Sequence, residues 1–171
     1  STNGGDIVTV EKYGDFILDL QFKVGPGTNS GILLRHNPEF SSGAPKYWWN
    51  GLIEIQIFDS AGKDELDKHD CGALYDMIAP SSNAMKPPGE WNRFEITCRG
   101  NIVQVELNGE KIVDMDLDRW TEPNRNPDGT KNKFATPIKD FARLGRIGLQ
   151  NHGRPVWYRN IRVKRLEDDV Y

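Results

Sequence analysis

The chain has 171 residues, a formal net charge of −3, and 37% hydrophobic against 27% charged residues, a length that one hydrophobic core serves. With 22 Lys and Arg against 25 Asp and Glu, no basic field is available to neutralise a phosphate backbone, so nucleic acid is not an expected partner. No apolar run approaches the roughly 20 residues of a membrane span, and no charged-then-apolar leader opens the chain.

Period-two alternation appears early. Phe16, Leu18, Leu20, Phe22 and Val24 fall on one face and Asp19, Gln21 and Lys23 on the other, the mark of a half-buried strand. The Gly25-Pro26-Gly27 turn leads to NSGILLR, a second strand in which Ile32 and Leu34 oppose Leu33 and Arg35. Residues Leu52 to Phe58 form a third, with Ile53, Ile55 and Ile57 pointing one way and Glu54 and Gln56 the other. Residues 91–114 read as three antiparallel strands, because Gly100-Asn101 and Asn108-Gly109 are turn pairs suited to the positive φ angles of tight hairpins. From Trp120 to Phe141 the chain is rich in Pro, Asn, Asp, Gly and Lys without a clean period, which predicts a long surface loop. Two strands near Gly145 to Gln150 and Val156 to Lys164 follow, and no helix or internal repeat is expected. Many short strands with regular turn signals predict an all-β sandwich or jelly roll.

Two cysteines, Cys71 and Cys98, are too sparse for a disulfide framework. Cys98 alternates with Phe94 and Ile96 and reads as a small buried hydrophobe, with a single bridge as the alternative. The histidines His36, His69 and His152 lack zinc spacing. Asp64, Glu65 and Asp67 lack EF-hand spacing and read as a solvated loop, with calcium as the alternative; no cofactor is expected. Trp91 and Trp157 read as core packing.

Several segments, in order, carry a family resemblance: YGDFILDLQFKV, NSGILLR, GLIEIQIFD, GALYD followed by Ala79-Pro80, KPPGEWN, the LNG hairpin and GRIGLQNHGRPVWYRNIRV. Together they make the chain similar to the 3-keto-disaccharide hydrolase family, whose fold is the concanavalin A-like jelly roll of two antiparallel sheets. The resemblance implies one jelly-roll domain over residues 1–171 without the family's usual N-terminal strands, a carbohydrate substrate, and a secreted or periplasmic location in a bacterium. Cys71, just before GALYD, departs from the pattern.

The EIQIFD strand also resembles the Glu-x-Asp-x-x-Glu strand of the jelly-roll glucanases of glycoside hydrolase family sixteen, with Gln56 in place of the middle Asp and Asp59 in place of the final Glu. Those two departures argue against an ordinary retaining mechanism, which needs paired carboxylates about 5 to 5.5 Å apart. A 3-keto sugar offers another route, because the ketone acidifies the C2 hydrogen and the enolate expels the C1 substituent. That route needs a base, an acid and a donor at the enolate oxygen. His152 is the first candidate base and Glu54 the second; Asp59 or Glu54 would protonate the leaving group. Arg35 would stabilise the enolate, while Gln56, Tyr75 and Gln150 would hold hydroxyls. Gln150 and His152 share a strand face opposite Ile147 and Leu149.

Each assignment has a plainer alternative. Glu54, Gln56 and Asp59 could be solvated polar residues, His152 a turn histidine beside Gly153, and Arg159 a buried structural arginine. Tyr47, Trp48, Trp49 and Trp120 suit either a sugar-stacking cleft or plugs at the sandwich ends. The functional expectation is a glycosidic-bond hydrolase; a non-catalytic lectin-like module is the alternative, separated from it by whether Glu54, Asp59 and His152 converge.

Overall fold

The computed structural model describes residues 5–37 and 51–166. Nine strands follow in chain order: β1 (Ile7–Val8), β2 (Phe16–Val24), β3 (Asn29–His36), β4 (Ile53–Phe58), β5 (Asn92–Arg99), β6 (Ile102–Leu107), β7 (Glu110–Asp116), β8 (Arg146–Leu149) and β9 (Val156–Arg165). They form a four-stranded sheet in the order β1-β8-β3-β4 and a five-stranded sheet in the order β7-β6-β5-β2-β9. Every strand pairing is antiparallel.

The apolar halves of the alternating strands meet between the sheets. Phe16, Leu18, Leu20 and Phe22 of β2 and Phe94, Ile96 and Cys98 of β5 face Ile32, Leu34, Ile53, Ile55 and Ile57 of the smaller sheet, all but fully buried. Each such aliphatic or aromatic side chain contributes about 1.5–3 kcal/mol on leaving water. Phe22 and Phe94 stack with ring centroids 4.7 Å apart, on strands paired at Phe22↔Asn92 and Leu20↔Phe94. The β5–β6–β7 meander follows its turn residues: Asn108 and Gly109 have φ of 56° and 87°, and Gly100 has φ of 54°.

The loop from Trp120 to Phe141 runs over the surface as its composition predicts, most of its residues being exposed, but it is anchored by a few buried side chains that composition does not reveal. Trp120, Phe134, Ile138 and Phe141 are buried, and Trp120 Nε1 donates to Asn126 Oδ1 at 2.8 Å. Trp120 thus packs into the sandwich and offers no open stacking face. Short 3-10 turns at Leu117–Arg119 and Ile138–Asp140 bracket this loop, where no helical turn is expected from the sequence.

Two further expectations are corrected. Trp157 is 46% exposed, since it points outward from the edge strand β9. Arg159 is exposed too, donating to Gln21 Oε1 and lying 3.8 Å from the Trp91 ring centroid. Cys71 and Cys98 are free thiols, both buried. Tyr47, Trp48 and Trp49 lie outside the described residues.

Candidate functional site

The polar face of β4 carries the site. Cross-strand pairs put Glu54 opposite Leu33 and Gln56 opposite Gly31, while Leu33 is in turn opposite Gly148 on β8. Beyond the end of β8, the Gln150 N–H donates to Gly31 O at 2.9 Å. Two amides therefore flank a residue without a side chain. Glu54 fills that hollow: a Cβ at Gly31 would lie 2.8 Å from Glu54 Cγ and nearer still to its Oε1. On the other side of β4, residues 72–75 add as a further hydrogen-bonded segment, with Gln56 N–H bonded to Ala73 O and Tyr75 N–H to Glu54 O. Tyr75 lies beside Glu54.

Glu54 and Gln56 are not solvated, being 7% and 2% exposed. Burial raises the Glu54 pKa above its ordinary value near 4.5, while the charge of Lys133, a hydrogen bond from Gln150 and the charge of His152 pull it back. Gln56 Nε2 donates to Asn29 Oδ1 at 3.2 Å, and the Oε1 atoms of Gln56 and Gln150 are buried without a hydrogen-bond partner among the described residues. Orphaned buried amides beside a carboxylate are costly in an empty fold and useful in one that binds hydroxyls.

Lys133 is the residue that sequence reading missed. Its loop is pinned to the 72–76 segment by Asp76, whose Oδ2 accepts from Lys133 N–H at 2.6 Å and whose backbone carbonyl accepts from Asn126 Nδ2. Asp76 sits at φ 64°, paired with Lys68 Nζ at 3.2 Å. The Lys133 ammonium then lies 4.2 Å from the Tyr75 ring centroid. Burial lowers its pKa, against the charges of Glu54 and Asp76.

Other expected site residues go elsewhere. Asp59 lies past the end of β4, where its Oδ2 accepts from Gly27 N–H at 2.8 Å. Five residues of extended chain span about 16 Å, so Glu54 and Asp59 do not make a retaining pair. Arg35 is 1% exposed and its guanidinium is spent on Gly14 O, Gly100 O and Asp15 Oδ1, at 3.0, 2.7 and 3.2 Å. It braces the end of the sandwich and is not available to an enolate. His152 is exposed, close enough for its charge to act on Glu54. Among the described residues no group of three or more His, Cys, Asp and Glu side chains is placed to hold a metal. In the loop acids, Asp67 accepts instead from His69 N–H and Lys63 Nζ.

An open cavity of about 430 Å³ lies along the edge between β8 and β9, lined by Ile7, Leu149, Gln150, Arg154, Trp157 and Tyr158 among others. Only Gln150 joins it to the Glu54 site; the convergence of charge and orphaned amides marks the latter as the chemical centre.

Comparison with known proteins follows the same lines. The chain is 29% identical to a protein named 3-keto-disaccharide hydrolase from Bacteroides thetaiotaomicron, over 96% of this chain and 63% of that protein, so it spans less than two thirds of that relative's length. A solved structure from Parabacteroides distasonis, of a protein provisionally named a glycosyl hydrolase, is 34% identical, covers 95% of this chain and 83% of its own, and superposes with a TM-score of 0.83. A galectin-like protein of unknown function from Bacillus subtilis shares the fold at a TM-score of 0.53 and 13% identity, over 94% of this chain and 77% of its own. Residues 1–164 match the family described as 3-keto-alpha-glucoside-1,2-lyase-like domain, and the chain belongs to that family.

Proposed function

We propose that this domain cleaves the glycosidic bond of a 3-keto-glycoside by elimination, with hydration completing a net hydrolysis. The observation that carries this reading is a buried carboxylate, Glu54, whose burial is countered by the charges of Lys133 and His152 and which lies beside two amides with unpartnered oxygens.

The three atoms that change in such an elimination are neighbours: the C2 hydrogen in the middle, the C3 ketone oxygen on one side and the C1 leaving oxygen on the other. Glu54 takes the central role as base. Its burial beside the orphaned amides, against the exposure of His152, favours Glu54 for removal of the C2 proton. As the proton passes to Glu54, the C2–H electron pair forms the enolate. The enolate then collapses to a C1=C2 double bond, restores the C3 ketone and breaks the C1–O bond. His152, exposed at the rim, donates the proton that the departing oxygen takes up. Water then adds across C1=C2: its oxygen bonds to C1 as His152 takes up its proton, and Glu54 returns the proton to C2, which yields the free 3-keto sugar and restores both groups. Gln56 and Gln150 hold ring hydroxyls through their buried amides. The relatives' names, which speak of 3-keto substrates, support the same choice of substrate class.

The test is proton NMR in D2O with methyl 3-keto-glucoside and ordinary methyl glucoside. Methanol release and deuterium incorporation at C2 are expected from the keto substrate alone, with a fall of about 10²–10⁴-fold in Glu54→Gln. Folded protein that binds the sugar without exchange or release would instead indicate a lectin-like module.

A further inference from the structure

An enolate formed at C2–C3 needs a donor or cation at its oxygen, and the arginine expected there is committed to Gly14, Gly100 and Asp15. We infer that Lys133 supplies this group: its ammonium is the electrophile that contacts the C3 oxygen of the keto sugar and selects keto over ordinary glycosides. The inference rests on the elimination reading above and adds the residue that gives it specificity.

The placement has three supports. The first is the anchoring. Lys133 is held by its backbone N–H to Asp76 Oδ2, so the side chain is not needed to dock the loop and is free to serve a ligand. The second is the seat of the ammonium. It lies 4.2 Å from the Tyr75 centroid and 5.5 Å from the Phe134 centroid, and it feels Glu54 and Asp76 as charges without a hydrogen bond to either. Ring faces attract a cation while leaving its N–H donors directed elsewhere, and a lysine ammonium has three of them. The third is the partner. Among charged groups, Lys133 acts most strongly on the Glu54 carboxylate, so base and electrophile address one small region, as adjacent carbon and oxygen atoms require. Partial desolvation strengthens the interaction of the ammonium with a developing oxyanion, the usual reason such donors sit out of bulk water.

The experiment pairs kinetics with binding. With methyl 3-keto-glucoside, Lys133→Met is expected to lower kcat/KM by about 10²–10³-fold, and Lys133→Arg by less, because the charge is kept. Binding is measured by calorimetry in the Glu54→Gln background, where the ligand stays intact. There the preference for methyl 3-keto-glucoside over methyl glucoside is expected to disappear when Lys133→Met is added. Circular dichroism and a thermal melt establish that each variant is folded. Should wild type turn over the keto sugar while Lys133→Met keeps its rate within about threefold, or keeps the keto preference, the assignment of Lys133 is wrong and the elimination reading survives. Should wild type neither turn over nor prefer the keto sugar, the elimination reading fails and the role of Lys133 falls with it.

Discussion

Burial holds the Glu54 carboxyl above its ordinary pKa near 4.5, so the folded protein binds this proton more tightly than the unfolded chain. The sign of the linkage follows. Below the unfolded pKa both states carry the proton and the group costs nothing; as pH rises from there through the folded pKa, stability is lost because a charge must be held in the Gly31 hollow. Glu54→Gln removes that charge in a similar shape. Its melting temperature is expected to match wild type near pH 4 and to exceed it increasingly as the pH is raised to 7.5, while turnover is lost. Equal melting differences at both pH values would show that Glu54 is not held at a desolvation cost. At this scale the sequence was partly legible. Strand parity alone puts Glu54 and Gln56 on one face, but the shared strand face expected of Gln150 and His152 does not form, since β8 ends at Leu149 and Gln150 is buried where His152 is exposed. Parity does not extend past the strand end, which is why Asp59 was misplaced, and it does not distinguish a catalytic arginine from Arg35, whose partners Gly14, Asp15 and Gly100 come from elsewhere in the chain. Lys133 had no local signal at all, being one lysine among several in a segment without a period.

Among the elements, β3 and β4 set the site through a size rule: a glycine at 31 leaves the space that the glutamate at 54 occupies. Gly31→Ala tests that rule. An added methyl cannot coexist with the Glu54 rotamer, so the side chain must swing out of the hollow and away from the Gln150 amide. Overpacking of this kind typically costs about 1–3 kcal/mol. The expected result is a folded protein with a lower melting temperature and a kcat reduced at least as much as in Glu54→Gln, checked by the same NMR assay. Full activity in Gly31→Ala would separate the hollow from the chemistry. The strands themselves were readable because each needs only alternation and a turn, as in β2 and the β5–β6–β7 meander. The loop from Trp120 to Phe141 was readable as a surface segment, but its anchoring was not, because that comes from contacts remote in sequence. Asp76 receives Lys133 N–H and Asn126 Nδ2, and Phe134 meets Phe141 edge-on with centroids 5.5 Å apart. Composition marks such a segment as polar and exposed, as most of it is, and is silent on the few buried side chains and tertiary hydrogen bonds that anchor it.

At the scale of the whole molecule, the two sheets share one core, and each cysteine reports on a different part of it. Cys98 lies on β5 in the five-stranded sheet, whereas Cys71 sits in the connection that leads from β4 to the segment added along its edge. Both thiols are buried and burial pushes both pKa values up to about 12, so neither presents a thiolate at neutral pH. Native protein is therefore expected to resist a thiol-labelling reagent at pH 7.5, and reducing agent should leave the melting temperature unchanged, since no bridge joins the pair. Labelling in graded denaturant carries the more informative result. Cys71 N–H bonds to Ser60 Oγ, while Ala73 and Tyr75 are tied to β4, so opening the connection means breaking the sheet that holds Glu54. If the sandwich unfolds as one cooperative unit, both thiols become reactive at the same denaturant midpoint. If Cys71 labels at lower denaturant than Cys98, the connection opens first. Activity would then be lost with Cys71 labelling and ahead of global unfolding, because the backbone bond between Tyr75 N–H and Glu54 O ties the two together.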